Sequence, residues 1–127
     1  MRSLSLSFTL KEWPCTDEML DAAAFIQRSG FHAELLQLKR AAGDILALRG
    51  AGFEYRYPAW QIAGSARIVD GIAETLALAG GNAWIACRLL CECAGDRSGR
   101  KLHEVLRNGE KQAALADIRS RLAQAAA

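Results

Sequence analysis

"YRYPAWQI", residues 55–62, crowds Tyr55, Tyr57 and Trp60 around Pro58, with a lone amide, Gln61, close behind. Only 7% of the chain is aromatic, so this cluster needs a physical reason. Tyr-Arg-Tyr alternates with period two and favours a strand. Pro58 has no N–H to give to a ladder, so it ends that strand or confines it to a sheet edge. Trp60 can bury a large flat area there, and Gln61 can satisfy backbone groups where the chain turns. Alone, the stretch reads as a strand end whose aromatics plug a small core, between an upstream region, 1–57, and a downstream one, 58–127.

Upstream, Leu4, Leu6, Phe8 and Leu10 alternate with serines and a threonine, the pattern of a half-buried strand over 3–10. Thr16 or Asp17 can cap a helix running to about Ser29, with Met19, Leu20, Ala23 and Ile26 as its apolar stripe and Gly30 as its stop. A second helix, about His32 to Ala42, carries Leu35, Leu36 and Leu38 and closes at Gly43. "DILALRGAGFEYRYP", residues 44–58, then gives two strand-like runs about a turn at Arg49 to Gly52, a hairpin signal. Helix, short turn, helix, hairpin is the order of a winged or excisionase-like helix-turn-helix. If the second helix reads DNA, its readers are His32, Gln37, Lys39 and Arg40, because Gln bonds adenine edges and Lys or Arg bonds guanine or phosphate. Glu34, near the helix start, opposes backbone phosphates.

Downstream the pattern is helical throughout. Asp70 can cap a helix ending at Gly80-Gly81, and Asn82 can cap the next, which carries Trp84, Ile85, Cys87, Leu89 and Leu90. "GDRSG", residues 95–99, leads to a short helix with Leu102, Val105 and Leu106, stopped by Asn108-Gly109. A last helix from Glu110 uses Leu115, Ile118 and Leu122. The expected fold is mainly α: an N-terminal helix-turn-helix with a small strand and hairpin element, followed by a four-helix C-terminal domain.

Composition narrows the function. A length of 127 residues fits one domain, and a net charge of +2 permits DNA contact without indicating it. "SLSLSFTL" lacks the continuous apolar run and cleavage site of a signal peptide, and no apolar run is long enough to cross a bilayer. A cytoplasmic protein is expected, with no membrane partner. Cys87, Cys91 and Cys93 contain no Cys-x-x-Cys pair, so the four cysteines of the chain read as buried thiols, with neither a metal site nor a disulfide. "RGAGFEY" has no third glycine and no following helix, so no dinucleotide motif is present. His32 and His103 have no nucleophile at a recognisable spacing, and Asp70, Glu74, Glu104 and Glu110 read as helix-surface carboxylates. No catalytic constellation and no cofactor are expected.

"ILALRGAGFEYRYPAWQI", "GIAETLALAGGNAWIACRLL" and "GRKLHEVLRNGEKQAAL", in that order, resemble the Xre/MbcA/ParS type of toxin-binding antitoxin domain. The matching positions are Tyr57, Pro58, Trp60, Gln61, Gly71, Ile72, Trp84, Leu90, Gly99, Arg100, Leu106, Arg107 and Gly109. They cover about residues 45–122, and the resemblance implies that Tyr57-Pro58-x-Trp60-Gln61 is a structural joint between two modules. Lys101-Leu102 replaces the family's Thr-Pro, Cys93-Ala94 falls where a Pro-Asn commonly follows the Trp helix, and the strand at 3–10 has no clear counterpart. The resemblance implies the antitoxin of a bacterial type II pair. Its partner would be a RES-domain, NAD-consuming toxin, neutralised by stoichiometric binding, in a homodimer or a hetero-oligomer with the toxin. Some members repress their own promoter. The toxin-facing surface is expected on the loop and turn that carry Asp96, Arg97, Arg100, Lys101, Arg107 and Glu110; of these, Asp96, Arg97, Arg100 and Arg107 are charges with no evident intrahelical task. The alternative is a stand-alone helix-turn-helix regulator of a mobile element.

Overall fold

The computed structural model describes residues 18–50 and 54–126, so the expected strand at 3–10 and the tip of the hairpin lie outside it. The chain is mainly α with small antiparallel sheets. Strand β1 (Met19–Leu20) precedes helices α1 (Ala22–Ser29) and α2 (Ala33–Ala42). Strands β2 (Leu48–Arg49) and β3 (Tyr55–Pro58) follow, then a 3-10 turn at Ala59–Gln61 and strands β4 (Ile62–Gly64) and β5 (Arg67–Ile68). Helices α3 (Ile72–Leu78), α4 (Ala83–Leu90), α5 (Leu102–Arg107) and α6 (Lys111–Ala126) complete it.

The first helix begins later than its periodicity predicts. Met19 and Leu20 form a strand, and α1 is capped by Asp21, whose carboxylate accepts from the Ala24 N–H at 2.8 Å. The cause is distant: Met19 pairs with Pro58 and Leu20 with Tyr57, a partnership no local pattern records. β2 pairs antiparallel with β3 through Leu48–Arg56 and Arg49–Tyr55, which puts the expected hairpin arms in register. Strand order is β1-β3-β2, so β3 is central. Pro58 does not sit on an edge; it ends β3, and the next amide, Ala59 N–H, donates to the Glu18 carbonyl at 3.0 Å. The β4–β5 hairpin, with Ala66 in the left-handed region at φ 53°, was not foreseen.

Gly71, not Asp70, holds the N-cap position of α3, at φ 108°. A Cβ there would lie 2.5 Å from Leu106 Cδ2, so glycine serves both the backbone and the packing against α5. Asn82 caps α4 as expected, its side chain accepting from Ile85 N–H at 3.1 Å.

Among the described residues two large apolar clusters, beside a small third one of Leu48 and Cys87, organise the interior. Phe25, Phe31, Leu36, Ile45 and Tyr57 form one, with Phe25 stacked on Tyr57 at 4.9 Å. Ile72, Leu76, Leu90, Leu102, Leu106, Leu115 and Ile118, drawn from α3 to α6, form the other. Leu46, upstream of Pro58, belongs to the second cluster and is fully buried. Gln61 fixes it there. The Gln61 side chain accepts from Leu46 N–H and donates to Leu46 C=O, both at 2.8 Å, with Gln61 itself 0% exposed. One amide thus completes both hydrogen-bonding groups of a buried residue that no strand or helix serves.

The cysteines depart from expectation in part. Cys87 is buried, Cys93 is exposed and free, and Cys91 is disulfide-bonded.

Candidate partner-binding surface

The loop between α4 and α5 closes like a short hairpin. Ala94 N–H donates to Arg100 C=O at 2.8 Å, and Leu102 N–H donates to Glu92 C=O at 2.9 Å. α6 supports it from behind, because Asp117 accepts from the loop's Gly95 N–H at 2.9 Å. Arg121, one turn on, reaches Asp117 at 2.6 Å, Glu92 at 2.7 Å and the Cys93 carbonyl at 2.6 Å. The Arg121 guanidinium, its hydrogen bond first, holds the Asp117 carboxyl below its ordinary range.

Within the loop Arg100 is a staple. Its guanidinium meets Glu110 at 2.6 Å and Asp96 at 3.0 Å, and its Nε–H donates to Ser98 Oγ at 3.1 Å. Asp96 also accepts from Ser98 N–H at 3.0 Å; hydrogen bonds from the Ser98 side chain first and then its N–H, with that from Arg100, bring the Asp96 pKa down to about 2. Hydrogen bonds from Arg100 and Asn108 lower Glu110 as well. Sequence reasoning placed Asp96, Arg100 and Glu110 on a binding surface, the first two as charges without a task. The structure gives all three one, as an internal ion cluster.

Arg107 has a task too. Its Nη1 donates to the carbonyls of Trp60 and Ile62, both at 3.0 Å, so α5 is tied to the joint that ends in Gln61. Beside it, the Trp60 and His103 rings stack at 4.2 Å with an interplanar angle of 5°. Trp60, His103, Lys101 and Arg107 line a cleft of about 640 Å³, together with Glu18 and Arg28, which are paired at 2.8 Å. Lys101 therefore stands between loop and cleft: its N–H donates to Glu104 at 2.7 Å, half of a capping box, while its residue also borders the cavity. Arg97 is exposed at the loop tip in the left-handed region, φ 65°.

The expected surface therefore divides. Lys101 and Arg107 meet at the cleft, Asp96, Arg100 and Glu110 form the ion cluster, and Arg97 projects alone. The stack of Trp60 on His103 was missed, since 43 positions separate the two residues and neither ring announces the other.

The expected DNA readers are also divided. His32 and Gln37 are exposed on α2. Lys39 turns to Asp44 at 3.9 Å, and Arg40 turns inward, donating to Tyr57 Oη at 2.8 Å with its guanidinium 4.2 Å above the Tyr55 ring. Two more surface carboxylates are occupied: Lys111 reaches Glu74 at 3.1 Å and Asp70 at 3.3 Å. Among the described residues no three His, Cys, Asp or Glu side chains converge as a metal set, and no helix is long and apolar enough to cross a membrane. Compared with protein-family models, with curated proteins and with solved structures, the chain finds no match.

Proposed function

We propose that the chain is a non-catalytic binding protein, the antitoxin of a type II pair. It neutralises a RES-type, NAD-consuming toxin by stoichiometric binding in the cytoplasm. The observation that supports this best is the continuity of a fixed loop and a cleft through Lys101. The loop is held from behind by Asp117 and Arg121 and from within by Arg100, so it is presented without further ordering. A prearranged surface loses less entropy on binding than a mobile one. Promoter contact through α2 would rest on His32 and Gln37, since Lys39 and Arg40 are engaged with the protein itself.

The structure changes which variants test the idea. Reversing Arg100 or Arg107 would break the protein's own contacts. Arg97→Glu reverses the exposed charge at the loop tip. Co-expression with the toxin encoded beside it should protect growth and NAD level with the parent chain, and fail with this variant. Full protection by the variant would remove the loop tip from the interface, and no protection by the parent chain would end the antitoxin reading.

A further inference from the structure

Arg107 is an arginine half spent. Its Nη1 is committed to two backbone carbonyls, which fixes the guanidinium plane at the mouth of the cleft. No carboxylate among the described residues pairs with it, and the residue is exposed. With Nη1 occupied, the free edge is the side-on pair, Nε–H and Nη2–H, whose parallel donors match the two oxygens of a carboxylate. Trp60, stacked on His103, lines the same cleft.

The charges around the cleft restrict what can enter. Among the described residues lining it, Arg28 is paired with Glu18, whereas Arg107 meets no carboxylate and offers its positive charge to a single anion. A polyanion would bring several charges against Glu18, which is paired with Arg28, and Glu104, which accepts from the Lys101 N–H.

We infer that the cleft takes a carboxylate side chain of the partner protein, an aspartate or glutamate beside an apolar residue, read by the side-on edge of Arg107 with Trp60 as the apolar wall. The inference rests on the partner-binding reading above and names the chemistry of its contact. Because Arg107 is held before the partner arrives, the contact costs little side-chain ordering.

The test needs no toxin. The tripeptide acetyl-Ala-Asp-Leu-amide is titrated into the full chain, followed by the NMR signals of Arg107 Nε–H and Trp60 indole N–H. Its neutral twin with Asn in place of Asp, inorganic phosphate and a twelve-nucleotide single-stranded DNA serve as comparisons. Millimolar binding of the Asp peptide is expected, at least about tenfold stronger than the Asn peptide, as for a charge-assisted bidentate contact. Phosphate and DNA should bind more weakly than the Asp peptide. Arg107→Lys keeps a positive charge and a donor for the joint but lacks the fork, and should lose about tenfold. Glu104→Gln still accepts from Lys101 N–H while removing a negative charge, and should tighten the Asp peptide by roughly two- to fivefold at low salt.

Equal binding of the Asp and Asn peptides would overturn the inference, as would tighter binding of phosphate or DNA. If Arg107→Lys does not fold, the Asp-to-Asn ratio and the Glu104→Gln gain still decide. An Asp-selective cleft in a chain that fails to neutralise the toxin would sink the antitoxin reading alone. A toxin-neutralising chain with an unselective cleft would sink only this inference.

Discussion

The joint at Gln61 and the loop at Arg100 solve the same problem in opposite media. Each uses one polar side chain to hold a length of chain that no helix or strand secures. Gln61 does so where there is no solvent, with two neutral hydrogen bonds to a single residue. Arg100 does so at the surface, with charges on Asp96 and Glu110 and side chains still a third or more exposed. Buried backbone groups left without partners cost their full desolvation, whereas exposed ion pairs compete with water and salt. The joint should therefore be strong, insensitive to salt and intolerant of substitution, and the loop weak, salt-sensitive and forgiving.

The sharpest way to break this comparison is to cut the chain at the joint. A fragment of residues 58–127 keeps the four last helices but loses Leu46 from their core and leaves Gln61 buried without its partner. It should melt at least about 15 °C below the whole chain or without a cooperative transition, as loss of a core leucine and a buried hydrogen-bonded pair implies. A fragment as stable as the parent would show the two regions to be independent.

Next in size, Gln61→Leu in the full chain should cost about 2–5 kcal/mol, because Leu46 N–H and C=O both become orphans. Denaturant unfolding at low and high salt should give the same loss. A cost below about 1 kcal/mol would mean that water reaches the joint.

A smaller effect is expected from Arg100→Met, and one that depends on the medium. Its destabilisation should shrink in concentrated salt, and the parent chain should show a matching pH dependence. Asp96 and Glu110 have folded-state pKa values below their ordinary values of 3.8 and 4.5, Asp96 at about 2. Groups depressed on folding contribute stability that is complete above their ordinary pKa and is lost as pH falls through the folded value. The parent should therefore lose melting temperature between about pH 5 and pH 2, and Arg100→Met should lose less of it over the same range. Identical acid profiles would remove Arg100 as the cause.

Smallest is a gain. Arg97 sits at φ 65°, where a side chain is strained and glycine is not. Arg97→Gly should stabilise the loop by up to about 1 kcal/mol, reduced by glycine's extra freedom when unfolded. A loss instead would show that the Arg97 side chain makes a contact of its own.

Much of this architecture can be read directly along the chain. Pro58 as a strand end, Gln61 as a backbone clamp, Gly30 and Gly43 as left-handed helix stops and Asn82 as a cap all follow from residue type and neighbours. What could not be read depends on partners far away. Met19-Leu20 has the composition of a helix start and becomes a strand because Tyr57-Pro58 lies alongside. Arg100 and Arg107 look alike in sequence, two arginines near a turn. One finds carboxylates and the other finds carbonyls of the joint, 47 and 45 positions upstream. Candidate surface residues were recognisable as charged and exposed, but not as already employed.

The Leu46 amide offers a consequence of a different kind. It lies in no helix or strand, so ordinary secondary structure gives its hydrogen no protection from exchange with solvent. Its protection comes from one side-chain oxygen fifteen positions later. Slow exchange at this single site would thus report how often the two halves of the molecule part, with no label and no mutation. Since Arg107 grips the same joint from the other side through Trp60 and Ile62, a ligand pulling on Arg107 should change that rate before it changes any other in the upstream region.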